Sequence, residues 1–333
     1  MPKRKIRFIF AVIILFTGIS FRGFTQTTDL KDIQKAVSDF SAELARSVPF
    51  NSSLGLNWSD AYIGKLFPSL PPHFGVGVSF GFSTIKLPLI KTLAGYFGYD
   101  LPFNANKLFL PAYAGEARLG GIFLPFDVGF KFGYLPPVGL WGRGVNMNYF
   151  LAGGDLRYAL LDKGILPKIS LGIGINYMKS GISGKVGKSL NIDYDVSDSI
   201  IIDKPEVNIK WDAFSLDFKA QISQSLVIFT PYLGIAGSYA WSSAGYSVNA
   251  GITDGIGNPI DATDIKDYVS SLGLKGLDID DSGMSSIIKN KAFSFRVFGG
   301  LSLDLVKFRL DFTGLYSFLD KNFGASVGFR FQL

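Results

Sequence analysis

Cysteine is absent from this chain of 333 residues. That excludes disulfide scaffolds, thiol chemistry, cysteine zinc sites and any lipid anchor that needs a thiol. Histidine occurs once, at His73, leaving little for His-based metal sites or proton relays. A basic surface is missing too, despite a net charge of +6 from 33 Lys and Arg against 27 Asp and Glu. Five of the cations (Lys3, Arg4, Lys5, Arg7, Arg22) and none of the acids lie in the first 25 residues, so the rest carries 28 minus 27, or +1. No nucleic-acid-binding face is expected from that balance. Beyond its start the chain has no long apolar run either, yet its mean hydropathy is +0.27, with 39 glycines and 15% aromatics. The apolar residues are dispersed in a pattern, and the pattern is the informative part.

The start, MPKRKIRFIFAVIILFTGISFRGFTQTTD, sets cations ahead of an uninterrupted apolar core from Phe8 to Phe16. This reads as a secretory signal peptide over residues 1–25, with small residues Gly23 and Thr25 ahead of a cut before Gln26. The other reading, an uncleaved anchor, needs about 20 mainly apolar residues, and Arg22 cuts the stretch short. Next, Leu30, Ile33, Val37, Phe40, Leu44 and Val48 recur at spacings of three and four, predicting an amphipathic helix capped by Thr28 or Asp29 and ended by Pro49. Pro68 to Pro72 close this segment, 26–72, which is expected to lie in the periplasm or to plug a lumen.

From His73 onward the period changes to two. Phe74, Val76, Val78, Phe80 and Phe82 alternate with Gly75, Gly77, Ser79, Gly81 and Ser83, and similar stripes return around Phe126–Phe132, Ile169–Tyr177, Phe214–Ile222 and Val306–Phe312. Less regular strands fill 112–122, 147–160, 226–241 and 291–304, and the last is NFGASVGFRFQL. A soluble sandwich would put the apolar stripe inside and long charged side chains outside. Here the second face is rich in Gly and Ser, which weaken a strand unless something must fit against it. A lipid-facing apolar stripe around a crowded or plugged interior explains both faces.

The connections run 86–111, 123–125, 135–146, 161–166, 180–204, 223–225, 242–290, a turn near 305, and 319–321, long and short alternating until the last. Long extracellular loops and short periplasmic turns give that alternation. Trp211 and Trp241, beside long loops, are expected in an interfacial girdle. Counting back from the end, Leu333, Phe331, Phe329, Val327, Ala325 and Phe323 occupy alternate positions. On these residues, 73–333 resembles bacterial outer-membrane β-barrel proteins, with Leu333 in the place usually held by Phe or Trp. The resemblance implies the outer membrane as location, its lipid as surroundings, and the barrel assembly machinery as partner through the terminal strand. A segment ahead of the barrel is similar to the internal hatch of fatty-acid-transporter-type barrels, with no motif carrying that identification.

The fold expected is therefore all-β: a transmembrane antiparallel barrel of about ten strands, or twelve if 188–203 pair as a hairpin, preceded by the helix. The expected lumen face carries Glu116, Arg118, Asp127, Lys131, Asp155, Arg157, Asp217, Lys219, Arg296, Lys307, Arg309, Asp311 and Arg330, either sealing the interior by ion pairs or lining a path. His73, alone beside Pro71 and Pro72, reads as a rim residue rather than a base, and no enzyme and no cofactor are expected. GISGKVGKS at 181–189 misses the phosphate-loop spacing by one residue. Asp278, Asp280 and Ser282 follow the front of a calcium loop, but its twelfth position is Lys289, so no metal is expected. The function expected is passive passage of small or hydrophobic solutes, or else a closed barrel displaying loops 86–111, 180–204 and 242–290 for adhesion or interaction.

Overall fold

The structure, a computed structural model, describes residues 27–67, 69, 72–86, 107–140, 145–163, 166–185, 190–193, 199–202, 206–249, 252–254, 278–280 and 283–333. The expected signal peptide, Ser282 and most of the three expected long loops lie outside the described residues. One helix, α1 (Thr27–Ser52), precedes β1 (Phe74–Lys86), β2 (Lys107–Gly120), β3 (Phe126–Leu140), β4 (Val145–Leu161), β5 (Lys168–Lys185), β6 (Leu190–Asp193) and β7 (Ser199–Ile202). Then come β8 (Glu206–Ser223), β9 (Phe229–Asn249), β10 (Ile252–Asp254), β11 (Asp278–Asp280), β12 (Gly283–Leu305), β13 (Phe308–Ser317) and β14 (Phe323–Gln332).

Ten of these strands make one closed wall in the order β1-β2-β3-β4-β5-β8-β9-β12-β13-β14, each antiparallel to its neighbours, and β14 pairs back onto β1 from Gly75↔Gln332 to Ser83↔Gly324. The segment 188–203 does contain a hairpin, β6–β7, but with β10 it forms a separate three-stranded sheet and adds nothing to the wall. Ten strands, not twelve, form the barrel.

Alternation places the faces. On β8, Phe214, Leu216, Phe218 and Ile222 are exposed while Ala213, Ser215, Asp217 and Gln221 are buried. Phe218 is 66% exposed and Phe80 62%, and comparable apolar side chains ring the whole wall. A contiguous belt of that kind is not sustained against water. From Phe214 to Ile222, at 3.3 Å rise and 40° tilt, it stands about 20 Å tall, comparable with the apolar band of an outer-membrane barrel. The chain is such a barrel, and strands make its crossing; no described helix is long and apolar enough to do so.

Residues 121–125, 162–167, 224–228 and 306–307 join strands at one end, the turn end; at the other, the loop end, lie the long connections 87–106, 186–205 and 250–282 together with the short ones 141–144 and 318–322, so the expected long loop 135–146 shrinks to four residues. The wall rises well past the belt at the loop end. Strands β9 and β12 run 21 and 23 residues, where about 9–11 suffice to cross. The expected loops 180–204 and 242–290 are thus overestimates: β5 continues to Lys185, β9 to Asn249, and β12 starts at Gly283. Above the lipid both faces meet polar surroundings, so Ser243, Gly245 and Lys289 break the apolar alternation while the hydrogen-bonded ladder carries on.

The N-terminal segment passes through the lumen. Ala45 meets Ser242, high on β9; Asn51 meets Ser83 and Leu110; Leu54 meets Lys131; Trp58 meets Glu116; Asp60 meets Arg330 and Arg309. Ile63 bonds Asp127 at the start of β3, and Leu66 bonds Gly121 in the turn itself. Each contact lies nearer the turn end than the one before, so α1 points its start toward the loop end. With no native cysteine, Thr27→Cys and Lys307→Cys give clean single-thiol probes. A membrane-impermeant maleimide added to intact cells is expected to label the first and spare the second; both sites spared would invert the thread, and the reverse pattern would invert the whole barrel in the membrane.

Candidate functional site

The site is the occupied lumen, apolar above and charged below. In its upper part Leu44, Val48, Phe50 and Leu54 share a buried cluster with Met178, Trp211, Ala236, Ala244, Phe298 and Leu315 of the wall. Small wall residues such as Ala236 and Ala244 leave room for the helix. Pro49 lies inside α1 rather than at its end. Proline has no N–H to give the carbonyl four residues back, and that carbonyl, of Ala45, instead accepts a hydrogen bond from Ser242 Oγ at 2.6 Å. The helix therefore runs on to Ser52. Its last carbonyls face a wall cation: Lys131 Nζ donates to Ser52 O at 2.7 Å and Leu54 O at 2.8 Å, where the helix dipole favours positive charge.

Below the helix the chain turns at Gly55, whose φ of +86° suits glycine. Trp58 then fills the bore. Its indole Nε1 donates to Glu116 Oε2 at 2.5 Å, and the guanidinium carbons of Arg330 and Arg118 lie 4.5 and 5.5 Å from its ring centre, within cation–π range. A Cβ at position 75 would sit 2.8 Å from that indole, which explains one glycine of the first strand's inner face. Asp60, 2% exposed, takes Arg309 Nη1 at 2.5 Å, Arg330 Nη2 at 3.0 Å and Gln332 Nε2 at 3.2 Å.

The wall's own charges interlock around this segment. Asp127 receives Arg157 through Nε and Nη2, both at 2.8 Å, and Arg118 at 2.5 Å. Arg118 also reaches Asp155 at 2.8 Å, and Lys219 reaches Asp155 at 2.5 Å. Arg296 pairs Asp217 at 2.8 Å, and Arg330 pairs Asp311 at 3.1 Å. Glu116 accepts from Trp58 and Ser79. Twelve of the thirteen residues expected to face the lumen do face it, and they lie in contact with one another or with the threaded segment. Lys307 does not: it sits exposed in the turn after β12.

Other expectations also move. Trp211 is buried against α1 rather than in a girdle, being one residue out of phase with the outward-facing Phe214 and Asp212. Trp241 does face outward, its ring tilted against Phe214 and edge-to-face with Tyr239. Asp278 and Asp280 lie in β11, paired with β12 across Asp278↔Ser285 and Asp280↔Gly283. A calcium loop needs a curled backbone there, and the chain is extended. No group of three or more metal-ligating side chains occurs among the described residues. His73 sits at the rim, its Nδ1 3.2 Å from Leu333 O and its ring against Gly64, where φ is +113° and a Cβ would clash.

Sequence reasoning missed the segment's own contribution, above all Trp58 and Asp60, together with Gln221, which donates to Trp58 O at 2.7 Å, and Ser223, which accepts from Ala61 N at 2.9 Å. NWSDAY at 57–62 carries no periodicity that could have found them.

No family model matches the chain, and no curated protein sequence does. Among solved structures it is similar to the outer-membrane protease OmpT of Escherichia coli, at 10% identity and a TM-score of 0.42, over 79% of this chain and 97% of that one. The translocator domain of the autotransporter NalP from Neisseria meningitidis matches at 8% and 0.28, over 91% and 98%. Ail, the attachment invasion locus protein of Yersinia pestis, matches at 10% and 0.21, over 78% and 98%. At such scores none of these bears on what this chain does.

Proposed function

We propose that this outer-membrane barrel works as a closed platform, its bore stoppered by residues 41–66, and that its activity is an interaction made at the loop end. The observation that carries this reading is the height of the wall there. Strands β8, β9 and β12 extend past the apolar belt by more than crossing requires, and raise the long connections clear of the lipid. Loops on a rigid scaffold are where recognition is commonly placed.

A second reading, a gated conduit for a small or hydrophobic solute, draws support from the lower lumen. There the segment meets the wall through hydrogen bonds and ion pairs, which water or a polar solute can replace more readily than an apolar core.

Planar-bilayer recording with and without added solutes separates the two, because a gated conduit opens when its solute is supplied and a platform stays shut. The full chain is expected to be silent, and a chain lacking residues 27–66 is expected to conduct through a bore freed of its stopper. Steady conductance from the full chain, with folding checked by heat-modifiable gel migration, would overturn the platform. Deleting residues 186–205 or 250–282 is expected to abolish surface binding while leaving the barrel folded.

A further inference from the structure

The outer wall carries a feature that neither the lumen nor the loops account for. Paired rows of outward residues can be followed across β5, β8, β9 and β12. The row Tyr177–Phe214–Trp241–Lys291 tops the belt; above it runs Lys179–Asp212–Ser243–Lys289, and above that Gly181–Lys210–Gly245–Ile287. Four lysines, Lys179, Lys210, Lys289 and Lys291, are thus gathered on one side of the barrel at the level where the aromatic belt gives way to water, and all four are exposed. Among the described residues none of them forms an ion pair, although the lumen pairs nearly all of its charges. Of the acids on that face, Asp212 accepts a hydrogen bond from Ser243, and Glu206 lies six residues further along β8, opposite Lys185.

A groove lies beneath them on the same strands. Its volume is about 540 Å³; Ala220 and Gly237 form its floor, and Leu156, Ile173, Phe218 and Ile235 its walls. From the Phe218 row to the Asp212 row is six residues along β8, or about 15 Å along the membrane normal at the strand rise and tilt used above. That is half of a hydrocarbon core about 30 Å thick. On β8 this puts Lys210 beyond the hydrocarbon edge and the groove near mid-membrane; register rows climb by about 3 Å per strand at that tilt, so the four lysines are spread through the head-group layer rather than set at one height.

We propose that this face is a lipid-binding site: the lysines hold the phosphate-bearing head group of a lipid in the loop-side leaflet, and one of its acyl chains lies over Ala220 and Gly237. Lys179 and Lys289 are three strands apart, about 14 Å, a spread that suits a head group with more than one phosphate. Small residues in the floor lower the surface where larger ones would raise it, so the chain has a track under its own head group.

Full-length barrel refolded in micelles, incubated with lipid A and examined by native mass spectrometry, tests the site. The wild type is expected to retain the lipid. The quadruple variant K179Q/K210Q/K289Q/K291Q is expected to retain at least tenfold less, and the corresponding quadruple Arg variant to retain it as the wild type does. Ala220→Phe, which fills the track and leaves every lysine, is expected to weaken retention severalfold. Equal retention by the Gln variant would overturn the proposal. So would equal retention of diacylglycerol, which has the chains without phosphate, or full competition by millimolar inorganic phosphate, which would reduce the site to an anion patch. Heat-modifiable migration of each variant separates loss of the site from loss of the fold.

Discussion

Asp127→Ala is expected to destabilise the folded barrel by about 3–5 kcal/mol, read as a lowered urea midpoint in detergent micelles. The residue has no exposed surface, and its two oxygens take both Arg118 and Arg157. It also accepts from the Ile63 backbone N–H at 3.2 Å. Its removal leaves Arg157 with only the Asp60 carbonyl, at 2.6 Å, among its described partners, and a buried guanidinium without a carboxylate is costly however modest the net value of the pair it came from. Asp127→Asn keeps the shape but not the charge, and is expected to recover only part of the loss. A midpoint unchanged by both substitutions would mean that water reaches these arginines freely, contrary to the burial described.

The second large effect concerns the thread rather than the wall. Asp60→Ala removes the one carboxylate through which the segment meets Arg309, Arg330 and Gln332. The wall keeps its own pairs, since Arg330 still has Asp311 and Arg309 still has Asp304 at 3.5 Å. The lower segment is therefore expected to loosen while the barrel stays folded. In an Asn57→Cys background, at a position where the native asparagine is buried, maleimide labelling should rise by tenfold or more, with gel migration unchanged. Labelling that stays at the parent's level would show that Asp60 does not fasten the segment.

Much of the wall was legible because lipid enforces strict alternation. Phe214, Leu216 and Phe218 had to share a face, so the opposite parity gave Asp217 and Lys219 their place in the lumen. The same logic fails above the belt, where no apolar solvent imposes parity, and there Trp211 was assigned to the wrong face and the ladder of β9 and β12 was cut short. Pro49 misled for a different reason: it ends a helix only if the carbonyl it deprives goes unserved, and Ser242, nearly 200 positions away, serves it. The threaded segment was least legible of all. Residues 53–66 have irregular backbone, and their partners, such as Arg330 for Asp60 at a separation of 270 residues, become neighbours only when the ring is closed.

The path of that segment has a consequence for how the protein can be made. It is joined to the wall at one end only, through the turn at His73, and it runs the length of a bore that its own later strands complete. The bonds between β14 and β1 are what convert a chain lying across an open sheet into a cord held inside a hoop. Assembly must therefore either seat the cord before that seam shuts or draw its free end through afterwards. A folded cargo fused ahead of Thr27 is too bulky for the second route, so such fusions will mature only if the hoop closes around them, whereas cargo inserted at the loop-end connections meets no such obstacle.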